Sequence, residues 1–226
     1  MKMHRVLVAT VICLIVCAAV SPRASAQLPS ASFGITGGLA IPTGDFASTS
    51  STQSGAAVTG FGIGANISIS IIPSLSFVGN FTYISNGINE DYIKDQTGGQ
   101  SYTGDVGSWT TLWPMVGVKY SAGVGPIVGI FLTAQGGLLL GTSPEVDITS
   151  QGVRGTFKSF SSSAFAYGFG GGVIIADKFT IELRILGGQP EYDSEYTFSG
   201  SNFTSTTTSK YDQPTGIIQL NAGIVF

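Results

Sequence analysis

The side chains best suited to chemistry are few in this chain and unevenly placed. Its one histidine, His4, and both cysteines, Cys13 and Cys17, fall within the first twenty residues. Beyond them the sequence offers neither imidazole nor thiol. Proton transfer near neutral pH favours a group with a pKa near 7, and histidine is the usual one. Carboxylates remain. Glu90-Asp91, Asp45 and the set Glu191, Asp193, Glu195 have the residue types for paired-carboxylate acid–base work. Set among polar residues in connecting segments, the same acids read first as solvated loop charges. The segment EYDSE, Glu191–Glu195, is also a candidate calcium site, because hard cations want several carboxylate oxygens. The many GxG pairs have no helix after them to present amides to a phosphate. The reading is therefore non-enzymatic, with no catalytic residue, no metal site and no cofactor assigned.

One charged pair is placed differently. Glu182 and Arg184 lie two apart in KFTIELRIL, Lys178 to Leu186. There Phe179, Ile181, Leu183 and Ile185 alternate with Lys178, Thr180, Glu182 and Arg184. Side chains two apart share a face only in a strand. The same period governs GFGIGANISISI, Gly60 to Ile71, and the final segment Gly216 to Phe226. Five further strands are expected over Ser32–Ile41, Leu75–Ile84, Thr111–Tyr120, Pro126–Leu138 and Ala164–Ile175. Thr111–Tyr120 is the least regular, since Pro114 costs it a ladder hydrogen bond. Eight strands of about 9–11 residues have the length that a tilted membrane strand needs.

The connections alternate in length. Ile72-Pro73-Ser74, Ser121 to Gly125 and Ala176-Asp177 are short. Pro42–Thr59, Ser85–Thr110, Leu139–Ser163 and Gly187–Thr215 are long. Short turns on one side and long loops on the other predict an eight-stranded antiparallel up-and-down transmembrane β-barrel, with periplasmic turns and four extracellular loops. Within the last loop, SNFTSTTTS (Ser201–Ser209) reads as mobile, low-complexity polar chain.

Composition agrees. Lys2 and Arg5, the apolar run Val6 to Val20, Pro22 and Ala24-Ser25-Ala26 have the layout of a secretory signal peptide spanning 1–26 and cut before Gln27. The run is too short for a membrane anchor of about 20 residues. Cys17 follows Val16, where a lipoprotein signal usually has Gly, Ala or Ser. Removing the segment leaves a single domain, 27–226, with seven basic residues against thirteen acidic, a formal charge of −6. That balance excludes a nucleic-acid partner. A tenth of the chain is charged, against about a quarter in soluble domains.

Alternation alone does not say which face is outward. A soluble barrel with its polar face outward would wear Gly60, Gly62, Gly64, Ser68 and Ser70, almost without charge. Glycine and serine suit a narrow lumen instead. The strand charges Lys119, Lys178, Glu182 and Arg184 all fall on the polar faces, and one charge facing lipid at the midplane costs about 2–4 kcal/mol. The apolar face therefore points to lipid. Tyr83, Tyr120, Tyr167 and Phe226 become girdle residues. Glu182 and Arg184 become a buried pair, with Gln219 and Asn221 of the last strand beside them as supporting amides and Lys119 near the periplasmic rim. Such a polar plug is structural before it is a transport path, because buried charges must pair.

The closing strand GIIQLNAGIVF, ending on Phe226, looks like the recognition signal that barrel-assembly machinery reads in outer-membrane proteins. The opening FGITGGLAIPTGDFA resembles the small outer-membrane β-barrel domain family, which includes the OmpA- and OmpX-like barrels. The resemblance spans residues 27–226 and rests on Gly-rich strands, the Pro-Thr-Gly-Asp-Phe turn and the final Phe. It implies an eight-stranded barrel in the bacterial outer membrane, among lipid and lipopolysaccharide, but no single function. No periplasmic wall-binding domain is expected after the last strand. The loops carry eleven acidic residues against four basic, which suits solubility and cation bridging to lipopolysaccharide phosphates. The leading expectation is a structural and surface-interaction role through these loops, toward an extracellular ligand that the sequence does not name. A narrow pore for small solutes is the alternative. A lipid- or peptide-modifying enzyme comes third, for want of histidine.

Overall fold

A strand with one face in lipid and one in a narrow lumen must alternate large apolar residues with small or polar ones, and the chain does so around a closed ring. The computed structural model describes residues 30–51, 53–96 and 101–226. The expected signal peptide lies outside them. The strands are β1 (Ala31–Thr43), β2 (Gly60–Ile72), β3 (Leu75–Asn86), β4 (Thr103–Val106), β5 (Trp109–Gly123), β6 (Val128–Thr142), β7 (Val146–Ser150), β8 (Val153–Phe157), β9 (Ser161–Ile175), β10 (Phe179–Gly188), β11 (Glu191–Gly200), β12 (Phe203–Asp212) and β13 (Thr215–Val225). A 3-10 turn at Gly44–Phe46 and a short helix, α1 (Glu90–Gln96), complete the elements.

Eight strands close a barrel in the order β1-β13-β10-β9-β6-β5-β3-β2, with every neighbouring pair antiparallel. These are the eight expected strands, several of them extended at the outer end. Closure is made by β1 on β13, from Gly34 opposite Val225 to Thr43 opposite Gly216. The outward face is the apolar one. Phe61, Ile63, Ile67 and Ile69 are exposed, while Gly62, Gly64 and Ser68 between them are buried. The same holds along β10, where Phe179, Ile181, Leu183 and Ile185 face out and Glu182, Arg184 and Leu186 face in. The β5–β6 ladder is interrupted at Trp113 and Pro114, where the missing N–H cannot donate.

The turn Ile175–Lys178 places Ala176 and Asp177 both in the left-handed region, at φ 52° and 56°, closed by Lys178 N–H donating to the Ile175 carbonyl at 3.1 Å. Such turns favour Asn-Gly, and an alanine there costs roughly 1–2 kcal/mol. The double change Ala176→Asn, Asp177→Gly is expected to raise barrel stability by about 1 kcal/mol, read as a higher urea midpoint.

The long loops depart from expectation. Ser201–Ser209 is not mobile chain: Phe203–Ser209 belongs to strand β12, which pairs along its length with β11. The outer segments form a five-stranded sheet in the order β12-β11-β8-β7-β4. Its strands continue β13, β10, β9, β6 and β5 after two or three residues each, and in the same lateral order. The sheet is thus the barrel wall carried outward over five of its eight strands. Pro144, Pro190 and Pro214 stand in three of the gaps, where a residue without an N–H ends the ladder.

Candidate functional site

Inside the barrel, β10 projects Glu182 and Arg184 into the lumen. The residues beside them on β9 are Gly172 and Gly170. A Cβ on Gly170 would sit 2.9 Å from the Glu182 carboxylate, so glycine is what makes room for the acid. Arg184 Nη2 donates to Glu182 Oε2 at 2.7 Å, and Nε reaches Oε1 at 3.3 Å. Across the lumen, Nη1 donates to the Thr82 hydroxyl at 3.4 Å. Both side chains are at least nine-tenths buried. Gln219 lies opposite Arg184 and Asn221 opposite Glu182, in the expected register. Gln219, however, does not hold the pair: its amide is buried and neither atom bonds to a protein partner. Thr82 takes the supporting place instead. Lys119 sits lower, its ammonium 6.0 Å from the Phe131 ring centroid and within electrostatic reach of Glu182.

Above this polar layer the lumen is filled mainly by apolar side chains. Ala40, Ile84, Trp113, Met115, Leu139, Ala166, Leu186 and Ile217 form one buried cluster. Trp113 is fully buried and donates its indole N–H to the Thr111 hydroxyl at 2.8 Å. Sequence reasoning missed this layer. Its signal was present in β5, where Trp109, Thr111, Trp113 and Met115 alternate with partly exposed neighbours. The inward residues there are the large ones, reversing the pattern that identifies the other strands.

At the rim, Trp109 forms the floor of the extracellular region. It meets Phe46 edge-on at 5.5 Å and Tyr192 at 5.7 Å, and Tyr192 stacks on Tyr211 at 5.7 Å. Its indole N–H donates to the Gly55 carbonyl at 2.8 Å. Over this floor, between the outer sheet and the segments from β1 and β3, lies a cavity of about 490 Å³. Ile88, Ile93, Ile148, Phe157, Tyr196 and Phe198 line it. Burial pushes the Tyr192 and Tyr211 phenols well above their ordinary value near 10. A raised phenol pKa means the neutral ring is the stabilising form. That contribution is complete below pH 10 and is lost as pH rises beyond it. The outer sheet is therefore expected to become protease-sensitive at strongly alkaline pH before the barrel unfolds.

The remaining charges do not converge. Lys210 bridges Glu191 at 3.0 Å and Asp193 at 3.8 Å, and Lys158 bridges Glu195 at 2.6 Å. The EYDSE carboxylates thus face lysines, and among the described residues no group of three acids, histidines or cysteines could hold a metal ion. Arg154 pairs with Asp147 through two hydrogen bonds that hold the Asp147 carboxyl below its usual range. Asp45 lies in the 3-10 turn and Glu90 and Asp91 on α1, with Asp91 bonded to Lys94 at 3.2 Å. At the other end of the barrel, Phe226 N–H donates to the Phe33 carbonyl at 2.7 Å, and its exposed ring stacks on Phe33.

A closed antiparallel barrel that wears its apolar residues outside and buries an ion pair within defines an integral membrane β-barrel. Residues 9–226 match the family model described as outer membrane protein beta-barrel domain, and the chain belongs to that family. Among solved structures, it is similar to the attachment invasion locus protein Ail of Yersinia pestis, with 16% identity over 87% of this chain and 97% of that one and a TM-score of 0.48. It is also similar to OprG of Pseudomonas aeruginosa, with 14% identity over 88% and 97% of the two chains and a TM-score of 0.48. Neisserial surface protein A gives 14% identity over 88% and 98%, with a TM-score of 0.47. At identities this low, none of the three transfers a role to this chain. No curated protein sequence matches it.

Proposed function

We propose that this protein is a non-enzymatic outer-membrane barrel that acts through its extracellular sheet and loops as a structural and surface-interaction protein. One observation carries this reading: fully buried Trp113, Leu139, Leu186 and Ile217 pack the upper lumen, while the segments outside are built into a five-stranded sheet. An eight-stranded barrel has an interior just wide enough for side chains, and here large ones fill it. On this reading residues 1–26 are a cleaved export signal. The barrel-assembly machinery reads Phe226, and the acidic loops lie among lipopolysaccharide headgroups, bridged by divalent cations.

The test replaces Glu191–Asp212 by a two-residue turn. Cells carrying the intact chain should adhere to a lipopolysaccharide-coated or cell-covered surface several-fold more than cells carrying the shortened one, at equal amounts of folded barrel. Equal adhesion would remove the reading. The pore alternative has its own support, since buried Ser68, Asn80, Gln135 and Gln219 leave polar atoms without protein partners in the lower lumen. Conductance separates the two. A mass shift in lipid A on expression would instead favour an enzyme.

A further inference from the structure

The extracellular sheet has one long edge that nothing covers. β12 pairs with β11 on one side, and among the described residues no strand pairs with the other. Phe203 to Lys210 is exposed on both faces. Sheet edges are normally guarded by proline, charge, a bulge or a covering element, because bare N–H and C=O groups recruit another strand. Over FTSTTTS, Phe203 to Ser209, the described structure has no such guard. Gly200 and Phe203 flank a two-residue turn and form a hydrogen-bonded pair, so alternate residues aim their backbone groups at the free edge. These are Thr204, Thr206, Thr208 and Lys210.

We propose that this edge pairs with the same edge of a second copy of this chain, held in a facing membrane. The proposal rests on the surface-interaction reading and names its partner. The strand is nearly self-complementary under a twofold through Thr207. Antiparallel pairing then sets Thr206 opposite Thr208, Ser205 opposite Ser209 and Phe203 opposite Tyr211. Lys210 meets Thr204, so no like charges oppose each other, and its charge is already matched by Glu191. Threonine–threonine and aromatic cross-strand pairs are the favourable kind. The direction of the strand selects the arrangement. β11 and β12 prolong β10 and β13 away from the membrane. Two such strands running antiparallel carry their barrels at opposite ends, one in each of two facing bilayers, with roughly 30 Å of paired strand between them.

The test reconstitutes the refolded chain, Gln27 to Phe226, into phosphatidylcholine vesicles of two colours. Wild-type vesicles are expected to cluster across colours. Thr206→Pro with Thr208→Pro removes two outward donors while leaving the bonds to β11, and should cut clustering at least tenfold, also when mutant vesicles meet wild-type ones. Intact folding is checked by heat-modifiable mobility. Should the proline variant misfold, cysteine substitution decides: the chain beyond Cys17 has no cysteine. With a mild oxidant such as copper-phenanthroline in air, Thr207→Cys should then form a disulfide between vesicles and Thr204→Cys should not. Dispersed wild-type vesicles, equal clustering by the proline variant, or equal cross-linking at both sites would overturn the proposal. Dispersed vesicles that still attach to protein-free lipopolysaccharide vesicles would leave the surface-interaction reading standing. Attachment to neither, together with steady conductance, would remove both.

Discussion

Arg184→Leu is expected to destabilise the barrel by about 3–5 kcal/mol, the cost of leaving one member of a buried ion pair alone. Glu182 would keep its place, since Gly170 and Gly172 on β9 shape the space around it. Its carboxylate would lose both guanidinium bonds in a site about 5% exposed. Asn221 stands opposite Glu182 in register, and Gln219, opposite position 184, is not bonded to the pair, so the amides offer only a partial substitute. The Thr82 hydroxyl would lose its cross-lumen donor as well. Removing both charges, as Glu182→Met with Arg184→Met, should recover most of the loss, because a packed apolar pair of similar volume often equals a buried ion pair. Urea unfolding followed by heat-modifiable mobility reads both. An unchanged midpoint for Arg184→Leu would mean that the pair does not hold the lumen.

Tyr192→Ala should act outside the membrane and at a similar scale, about 3–5 kcal/mol for a fully buried aromatic truncated to alanine. The ring ties the sheet to the barrel. It touches Trp109 below and Tyr211 beside it, and its hydroxyl fits over Gly141, where a Cβ would collide with it. The loss should fall on the sheet and not on the barrel, whose strands close without it. The expected result is rapid proteolysis between residues 143 and 214 with barrel mobility preserved. Gly141→Val should reproduce the effect from the opposite side of the contact. Loops that stayed resistant in both variants would show that another contact fixes the sheet.

The barrel was legible because lipid enforces a strict code along each strand. In KFTIELRIL every outward position is apolar and both inward charges sit two apart, so both the strand and the pair could be read directly. The register that sets Gln219 opposite Arg184 and Asn221 opposite Glu182 follows from the faces of β10 and β13. That Thr82 holds Arg184 was not legible: it comes from a strand across the lumen, and no local pattern records that distance. The code also failed in β5. There the lumen needed bulk, so tryptophan and methionine took the inward positions. The outer sheet was hidden for a different reason. Ser- and Thr-rich sequence reads as flexible by composition, yet threonine favours strands when a partner is present. Here the partners are other loops. The prolines at 144, 190 and 214 marked where the barrel ladder stops, but not that a second ladder begins beyond them.

The central claim is that the lumen is shut and that the protein works from its outer surface. Planar-bilayer conductance of the refolded chain from Gln27 to Phe226 tests it most directly, after folding is confirmed by heat-modifiable mobility. The expected record is silent, with Trp113, Leu139, Leu186 and Ile217 sealing the path above the ion pair. Steady, reproducible conductance steps from the folded wild type would contradict the account and make Glu182, Arg184 and Lys119 the lining of a pore.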